Sequence, residues 1–496
     1  MSYLEVLKLL GPETIVALAA LIVLAVDLLL MRAEPLPRRF ACGAFITALG
    51  CAAAAGWMLG SGPPGGIEGI FVDDTLARLV KCALLVLTVC ATVISLEAKF
   101  TRHVGEYLSL LLLATVGMMM LVSSTDLLMI FIALELTSLS LYILAAFNKQ
   151  DIQSAEAALK YFLFGGMSAA FTLFGLSLVY GLTGSTNLPQ IAAHLAETGM
   201  AKDPLLLAAL VMTVIGFGFK VAAVPFHFWA PDVYQGAPSP SVALIASGSK
   251  VASFFVLARL MITGFATAAG SGAWHDYSPG WVPTLAVLSA ASMVLGNVAA
   301  IAQNNVKRLL AYSAIAHSGY ALLGLLANNG AGLSSLVFYT VTYGLTVAGA
   351  FGVVMVVEAR TGGARLEDFA GLSRREPVLS FCMMIFMLSL AGIPPLAGFF
   401  GKFYLFTAVA VGANDLGMLW LVFLAVAMSA VSLYYYLKVL KQIYVAPAPE
   451  GILETTQSSL SSRLLLGTLA LGVVGLGCAP DLLVGRLLAA ISAFNF

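Results

Sequence analysis

Fourteen apolar runs, each near the length needed to cross a bilayer, constrain this chain more than any other feature. In hydrocarbon every backbone N–H and C=O must find a partner inside the protein, so a run of about 20 apolar residues folds as a helix. The runs cover residues 13–31, 39–60, 74–97, 105–123, 126–147, 155–182, 204–229, 239–264, 281–303, 307–328, 332–359, 378–407, 413–443 and 462–489. The fold class that follows is an all-α polytopic membrane protein with about fourteen transmembrane helices. Composition agrees: 60% of the 496 residues are hydrophobic and only 10% are charged. Mean hydropathy is +0.97. The first run lacks the basic leader and small-residue cleavage site of a signal peptide, so it reads as a retained span.

Several chemistries find no sequence signal. Formal charge is zero, with 25 basic and 25 acidic residues, so nothing points to nucleic acid. Cys42, Cys51, Cys82, Cys90, Cys382 and Cys478 lie in or beside apolar runs without a CxxC pair or metal-ligand spacing, and they read as small hydrophobes. No metal site and no nucleotide or other cofactor-binding motif is expected in the chain.

The basic residues set the expected orientation. Alternate loops, beginning after the first run, hold 15: Arg32, Arg38, Arg39, Lys99, Arg102, Lys149, Lys307, Arg308, Arg360, Arg365, Arg374, Arg375, Lys438, Lys441 and Arg463. The opposite loops and the termini hold Lys8, Lys202 and Arg486. The positive-inside rule then places both termini outward. The seven other basic residues, Arg78, Lys81, Lys160, Lys220, Lys250, Arg259 and Lys402, fall within the runs.

A charge at membrane depth is costly and marks function by default. Glu135 lies nine residues after Asp126, roughly 14 Å into the fifth run. It is expected to pair with a lysine or to pass protons. Lys220 precedes Pro225, Pro231, Pro238 and Pro240, which should break the seventh run beside it. Broken backbone at this depth is tolerated where it lines a hydrated cavity, so Lys220 should meet water. Lys250 lies about 16 Å into the eighth run. Lys402 follows the Pro394–Pro395 pair in a second broken run. Desolvation weakens a lysine's hold on its proton and a nearby carboxylate restores it, so a Glu–Lys pair is a proton switch. Lys160, four residues after Glu156, reads either as a relay member or as half of a helix-stabilising pair. His227 and His317 titrate in a useful range but equally fit packing roles. Arg78, Lys81 and Arg259 read as structural or as snorkelling to the interface.

The two broken, lysine-bearing runs are the seventh and twelfth. Five spans apart, they run in opposite directions, as an inverted repeat of spans 4–8 against 9–13 requires. The expected organisation is a three-helix segment (1–104), a first repeat (105–264), a second (265–444) and a C-terminal helix (445–496).

The stretches PFHFWAPDVYQGAPSP, QNNVKRLLAYSAIAHSGY and AGIPPLAGFFGKFYLF resemble the antiporter-like subunits of respiratory complex I. DVYQGAP is most similar to the subunit N branch, and the chain has no room for the long lateral helix of subunit L. The resemblance implies a proton-translocating subunit of NADH:quinone oxidoreductase in a bacterial cytoplasmic membrane. It implies Glu135 and Lys220 as the key pair, Lys250 as the link between halves and Lys402 near the outward exit. NAD(H), FMN, iron–sulfur clusters and quinone would belong to partner subunits. The expected partners are membrane and peripheral subunits of that complex, neighbouring antiporter-like subunits included, and the lipid bilayer. A related multisubunit cation/proton antiporter and a passive scaffold are the alternatives; a scaffold would not need four lysines and a glutamate at mid-depth.

Overall fold

The computed structural model describes residues 9–60, 65–67, 69–97, 100–412, 417–447 and 458–492. Lys8 and Lys99 lie outside the described residues. Spans 1 to 6 are Gly11–Leu29, Leu36–Gly60, Thr75–Ile94, Val104–Ser123, Leu127–Ala145 and Ile152–Thr183. Span 7 is Pro204–Val221 followed, after a break, by Trp229–Gly236. Span 8 is Ser239–Ala246 and Gly248–Arg259, ending in a π turn over Leu260–Gly264. Spans 9 to 11 are Trp281–Ile301, Val306–Leu326 and Gly330–Thr361. Span 12 is broken into Pro377–Ala391 and Ala397–Gly412; spans 13 and 14 are Leu419–Tyr444 and Leu460–Cys478.

Among the described residues thirteen helical segments are individually long and apolar enough to cross a membrane, and broken span 12 completes the expected fourteen. Two departures have local causes. The last run does not continue to residue 489: Pro480 cannot donate to the ladder, the helix stops at Cys478, and Asp481–Ser492 forms a separate helix. Span 8 carries an interruption at Ser247 (φ −109°, ψ −80°) that no proline at that position announces.

The inverted repeat is written in backbone hydrogen bonds. At the start of span 5, Leu127 N donates to Thr186 O (2.8 Å) and Leu188 N to Thr125 O (2.9 Å). At the start of span 10, on the opposite face, Val306 N donates to Ala364 O (2.7 Å) and Leu366 N to Asn304 O (2.8 Å). Each pair of bonds ties the start of one span to the loop that closes the next. Spans 6 and 11 both have 32 residues, and left-handed glycines, Gly184 (φ 68°) and Gly362 (φ 76°), terminate them. Spans 7 and 12 both break at a left-handed residue, Ala222 (φ 59°) and Gly392 (φ 87°), and both breaks carry a cis prolyl bond, Val224–Pro225 and Pro394–Pro395.

Burial identifies the centre. The apolar windows of spans 8, 10 and 11 are 100%, 94% and 94% buried, against 33% for span 6 and 28% for span 13. Spans 8, 10 and 11 therefore form the core, and the others present their outer faces to lipid.

Two of the charges read as structural or as snorkelling are structural, in buried ion pairs. Lys81 is buried and pairs with buried Glu13 at 2.6 Å. Arg259 bonds Asp74 (2.6 Å) and Val122 O (2.8 Å), also in the interior. Each bonds a carboxylate near the start of another span, which removes the cost of an unpaired buried cation. Arg78 pairs with Asp73 at 2.7 Å.

Glu376, immediately before span 12 and only 2% exposed, clamps three elements. It accepts from Arg360 at the end of span 11 (2.8 Å), from Ser458 N (2.7 Å) and from Arg463 of span 14 (3.2 Å). Burial alone would push its carboxyl up, but the bonds from Arg360 and Ser458 and the charge of Arg463 hold it below the usual range. Glu376→Gln should cost about 2 kcal/mol, because a buried carboxylate gives up its charge-assisted hydrogen bonds with two part-exposed guanidinium groups; thermal unfolding of the purified protein measures it. A depressed carboxyl contributes stability that is complete above the ordinary carboxylate range and lost as pH falls through its lowered value. The difference in unfolding temperature between wild type and Glu376→Gln should therefore be full above the ordinary carboxylate range, shrink as pH falls into it and close below the lowered value of Glu376.

Candidate functional site

The two helix breaks and the core between them place most of the expected side chains in one buried row. It begins at the break in span 7. Val221 ends the helix and Ala222 turns left-handed, a conformation that costs an L-residue roughly 1–2 kcal/mol. Side chains from elsewhere satisfy the backbone groups this exposes. Trp229 Nε1 donates to Phe219 O (3.0 Å), Ser292 Oγ accepts from Val224 N (2.8 Å), and Ser318 Oγ donates to Val221 O. The break is thus a built feature, and it fixes the last turn, where Lys220 stands.

Lys220 is only partly buried, in keeping with its place at a break. Its ammonium donates to Ser138 Oγ on span 5. The expected Glu135–Lys220 ion pair is not formed in this structure. Among the described residues Glu135 has no ion-pair partner, although it lies within electrostatic reach of Lys220. The Tyr142 ring lies 5.8 Å from the same ammonium.

Lys250 follows directly. Its ammonium donates to Ala314 O (2.5 Å) and to Ser318 Oγ (2.8 Å) on span 10. Ser318 is therefore shared: it receives from Lys250 and gives to the carbonyl of Val221, the residue next to Lys220. A single hydroxyl joins the break to the second lysine.

His317, beside Ser318, carries the row onward. One ring nitrogen is hydrogen-bonded to Tyr339 Oη (2.6 Å) and the other to Tyr436 Oη (3.0 Å), and Tyr436 also bonds Ser313. Tyr343, 4.8 Å from the imidazole ring, also lies 5.8 Å from the Lys250 ammonium. Tyr320, 5.8 Å from the imidazole on another side, lies 5.0 Å from the Lys402 ammonium. Lys402 crosses back over the second break, donating to Leu390 O (3.0 Å), Ala391 O (3.1 Å) and Ser429 Oγ (2.9 Å). Those carbonyls end the first half of span 12, where the helix dipole favours a cation. Lys250, His317 and Lys402 are 3%, 4% and 4% exposed, so the middle of the row is sealed from bulk water.

Two expected residues stand apart. Lys160 is in a half-exposed cluster at the basic face, paired with Glu156 (2.7 Å) and with Asp232 (2.6 Å), which also binds Arg308 (2.7 Å). His227 is buried within the break and stacks on Phe228 at 4.5 Å, but its Nδ1 has no partner and no hydrogen bond joins it to the row.

Reading the sequence missed the groups between the lysines: Ser138, Ser318, Ser429, Tyr339 and Tyr436. Hydroxyls inside apolar runs were the available signal, and it is weak, since a helical serine normally bonds the carbonyl four residues back. Ser318 Oγ also lies 2.9 Å from Ala314 O, so its one proton is shared between that carbonyl and Val221 O. Lys307, expected in a loop, is the second residue of span 10. Its buried head bonds Ala237 O (3.0 Å) and Glu358 (3.1 Å) beside a cleft of about 460 Å³ on the basic face.

Comparison with known proteins fits this arrangement. Residues 124–432 match the family described as NADH:quinone oxidoreductase/Mrp antiporter, TM. A relative named NADH-quinone oxidoreductase subunit N 2, from Acidobacterium capsulatum, is 49% identical over 97% of this chain and 98% of its own length. A chain of respiratory complex I from Thermus thermophilus, 34% identical, superposes with a TM-score of 0.77 over 96% of this chain and 99% of its own. A chain of the Mrp complex from a Dietzia species shares the fold, with a TM-score of 0.82 at 21% identity over 98% and 97% of the two chains. With its broken spans, its buried lysine row and relatives that match it end to end, the chain belongs to the family of membrane subunits common to NADH:quinone oxidoreductases and Mrp antiporters, in the NADH-quinone oxidoreductase subunit N branch.

Proposed function

We propose that the chain translocates protons as subunit N of an NADH:quinone oxidoreductase, along the row Glu135, Lys220, Lys250, His317 and Lys402. The observation that carries this reading is the single hydroxyl of Ser318 shared between Lys250 and the carbonyl of Val221 at the break beside Lys220. The match to an Acidobacterium capsulatum subunit N along nearly all of both chains favours this reading over a cation/proton antiporter of the related type. Flavin, iron–sulfur and quinone chemistry belong in this reading to partner subunits. Neighbouring antiporter-like subunits flank the chain in a bacterial cytoplasmic membrane, with the basic face inward and the termini outward.

The geometry gives each group a task. Lys220 stands at a break, only partly buried, and its partner hydroxyl is neutral. Lys250 and Lys402 have carbonyls and hydroxyls as partners, without a carboxylate, so each ammonium is held without being neutralised. A buried cation of this kind yields its proton when a second positive charge comes near. His317, bonded on both nitrogens and flanked by Tyr343 and Tyr320, is the group through which Lys250 and Lys402 sense one another. Lys160, in its cluster with Asp232 and Arg308, gathers charge at the basic face outside the sealed part of the row.

Lys220→Ala should lower coupled proton pumping by about a hundredfold in the assembled enzyme, while the complex still assembles. Pumping is read from acidification of inverted membrane vesicles. Normal pumping at normal turnover would sink this mechanism. His317→Phe keeps the ring packed between Tyr339 and Tyr343 but removes both hydrogen bonds. It should leave complex content unchanged and cut pumping, whereas wild-type pumping would show that the two buried lysines communicate by another path.

A further inference from the structure

We propose that Ser138 is a positioning residue that holds the Lys220 ammonium off Glu135 and so sets when that lysine releases its proton. The inference rests on the reading of Lys220 as a relay group and adds to it a residue whose task is placement.

Span 5 presents three polar groups on one face, Glu135, Ser138 and Tyr142, at positions i, i+3 and i+7, which stack along one side of a helix. The Lys220 ammonium sits at the middle rung. Ser138 Oγ receives it and donates its own proton to Leu134 O one turn back, so the hydroxyl points its free lone pairs at the lysine. The carboxylate is one rung toward the non-basic face and has no ion-pair partner among the described residues. Tyr142, one rung toward the basic face, holds its buried hydroxyl beside the same Ser138 side chain. It cannot retreat from the lysine, because Gly165 of span 6 lies against it so closely that a Cβ there would overlap the phenol.

The titratable groups facing Lys220 are therefore Glu135 and Tyr142 of span 5 and, behind the Phe219 ring, Tyr161 of span 6. Spans 9 and 10 contribute the hydroxyls of Ser292 and Ser318, both spent on the backbone of the break. A long, flexible ammonium beside an unpaired carboxylate would close the ion pair unless another acceptor held it, and Ser138 Oγ is that acceptor.

The repeat supplies an independent observation. Span 5 starts from the N-cap Asp126 and span 10 from the N-cap Asn305, and each N-cap stands at the matching backbone bridge. Counted from these caps, Ser138 and His317 occupy the same register position. The two halves thus place a hydrogen-bonding side chain at one equivalent point, Ser138 holding Lys220 in one case and His317 bonded to Tyr339 and Tyr436 in the other.

The test uses the assembled enzyme in inverted vesicles and follows pumping against pH in Ser138→Ala, Ser138→Thr, Glu135→Gln and the double variant Ser138→Ala/Glu135→Gln. Without the hydroxyl the ammonium moves to Glu135 and keeps its proton longer. In Ser138→Ala pumping at neutral pH should fall severalfold, and the alkaline limb of the profile should move up by about one pH unit. Ser138→Thr, which keeps a hydroxyl, should restore the wild-type profile. In the double variant the shift should vanish, because no carboxylate remains to capture the lysine; non-additivity of this kind is the signature of directly coupled sites. A Ser138→Ala enzyme that loses rate with an unmoved profile, or a double variant that keeps the whole shift, overturns the proposal. Lys220→Ala separates the two levels: if it abolishes pumping while Ser138→Ala leaves the profile unmoved, the relay stands and the positioning role falls.

Discussion

Everything in this protein follows from the rule that hydrocarbon offers the backbone no hydrogen bonds. Where the chain stays helical the rule is met locally and the side chains are ordinary apolar ones. Where it breaks, at Ala222 and Gly392, carbonyls and amides are released at membrane depth, and the protein must supply side-chain partners from beyond the break, on the same span or on others. Trp229, Ser292 and Ser318 serve the first break, and the Lys402 ammonium serves the second. The groups that repair the backbone are thus the groups that carry the polar row. A break in an interior helix of a soluble protein could be filled by water alone; here its repair gathers a lysine, hydroxyls and aromatic rings at the centre of the molecule.

This coupling explains why three lysines can lie so deep. None forms an ion pair in this structure, and each is held instead by hydroxyl oxygens, by carbonyl oxygens or by both. A full counter-charge would stabilise the ammonium and also fix its proton. Neutral acceptors stabilise it enough to remain in the fold and leave release sensitive to neighbouring charge. The permanent ion pairs, Lys81 with Glu13, Arg259 with Asp74 and Glu376 with two arginines, lie outside the row. Charges that brace the fold in ion pairs and charges held in the row by neutral oxygens are chemically distinct.

Much of this was legible in the sequence, because it depends on chain-local physics. Span length, the proline breaks, the depth of Glu135, Lys220, Lys250 and Lys402 and the opposed directions of spans 7 and 12 all follow from counting residues along one helix. What escaped depends on which face of one helix meets another. Nothing in the letters says that Ser138 and not Glu135 meets Lys220, or that Tyr339 and Tyr436, some hundred residues apart, close on one imidazole. Of the two readings of Lys81, structural or snorkelling, the letters could not choose the structural one, since its partner Glu13 lies on a different span. The interruption at Ser247 escaped because no residue there forbids a helix. The end of span 14 at Pro480 was chain-local and stood in the sequence.

Spans 6 and 11 are each 32 residues long. At 1.5 Å per residue that is about 48 Å of helix against a hydrocarbon core of about 30 Å. Tilt absorbs only part of the difference, so both helices stand proud of the lipid like posts. The excess bears on the charges at their basic ends. Lys160 is eight residues from the start of span 6, about 12 Å along it, and Glu358 and Arg360 occupy the last turn of span 11. These side chains are numbered within spans but lie toward the ends of helices longer than the hydrocarbon is thick. The extra length carries Lys160 out to the part-exposed basic end of the sixth span, where Glu156 and Asp232 hold its charge.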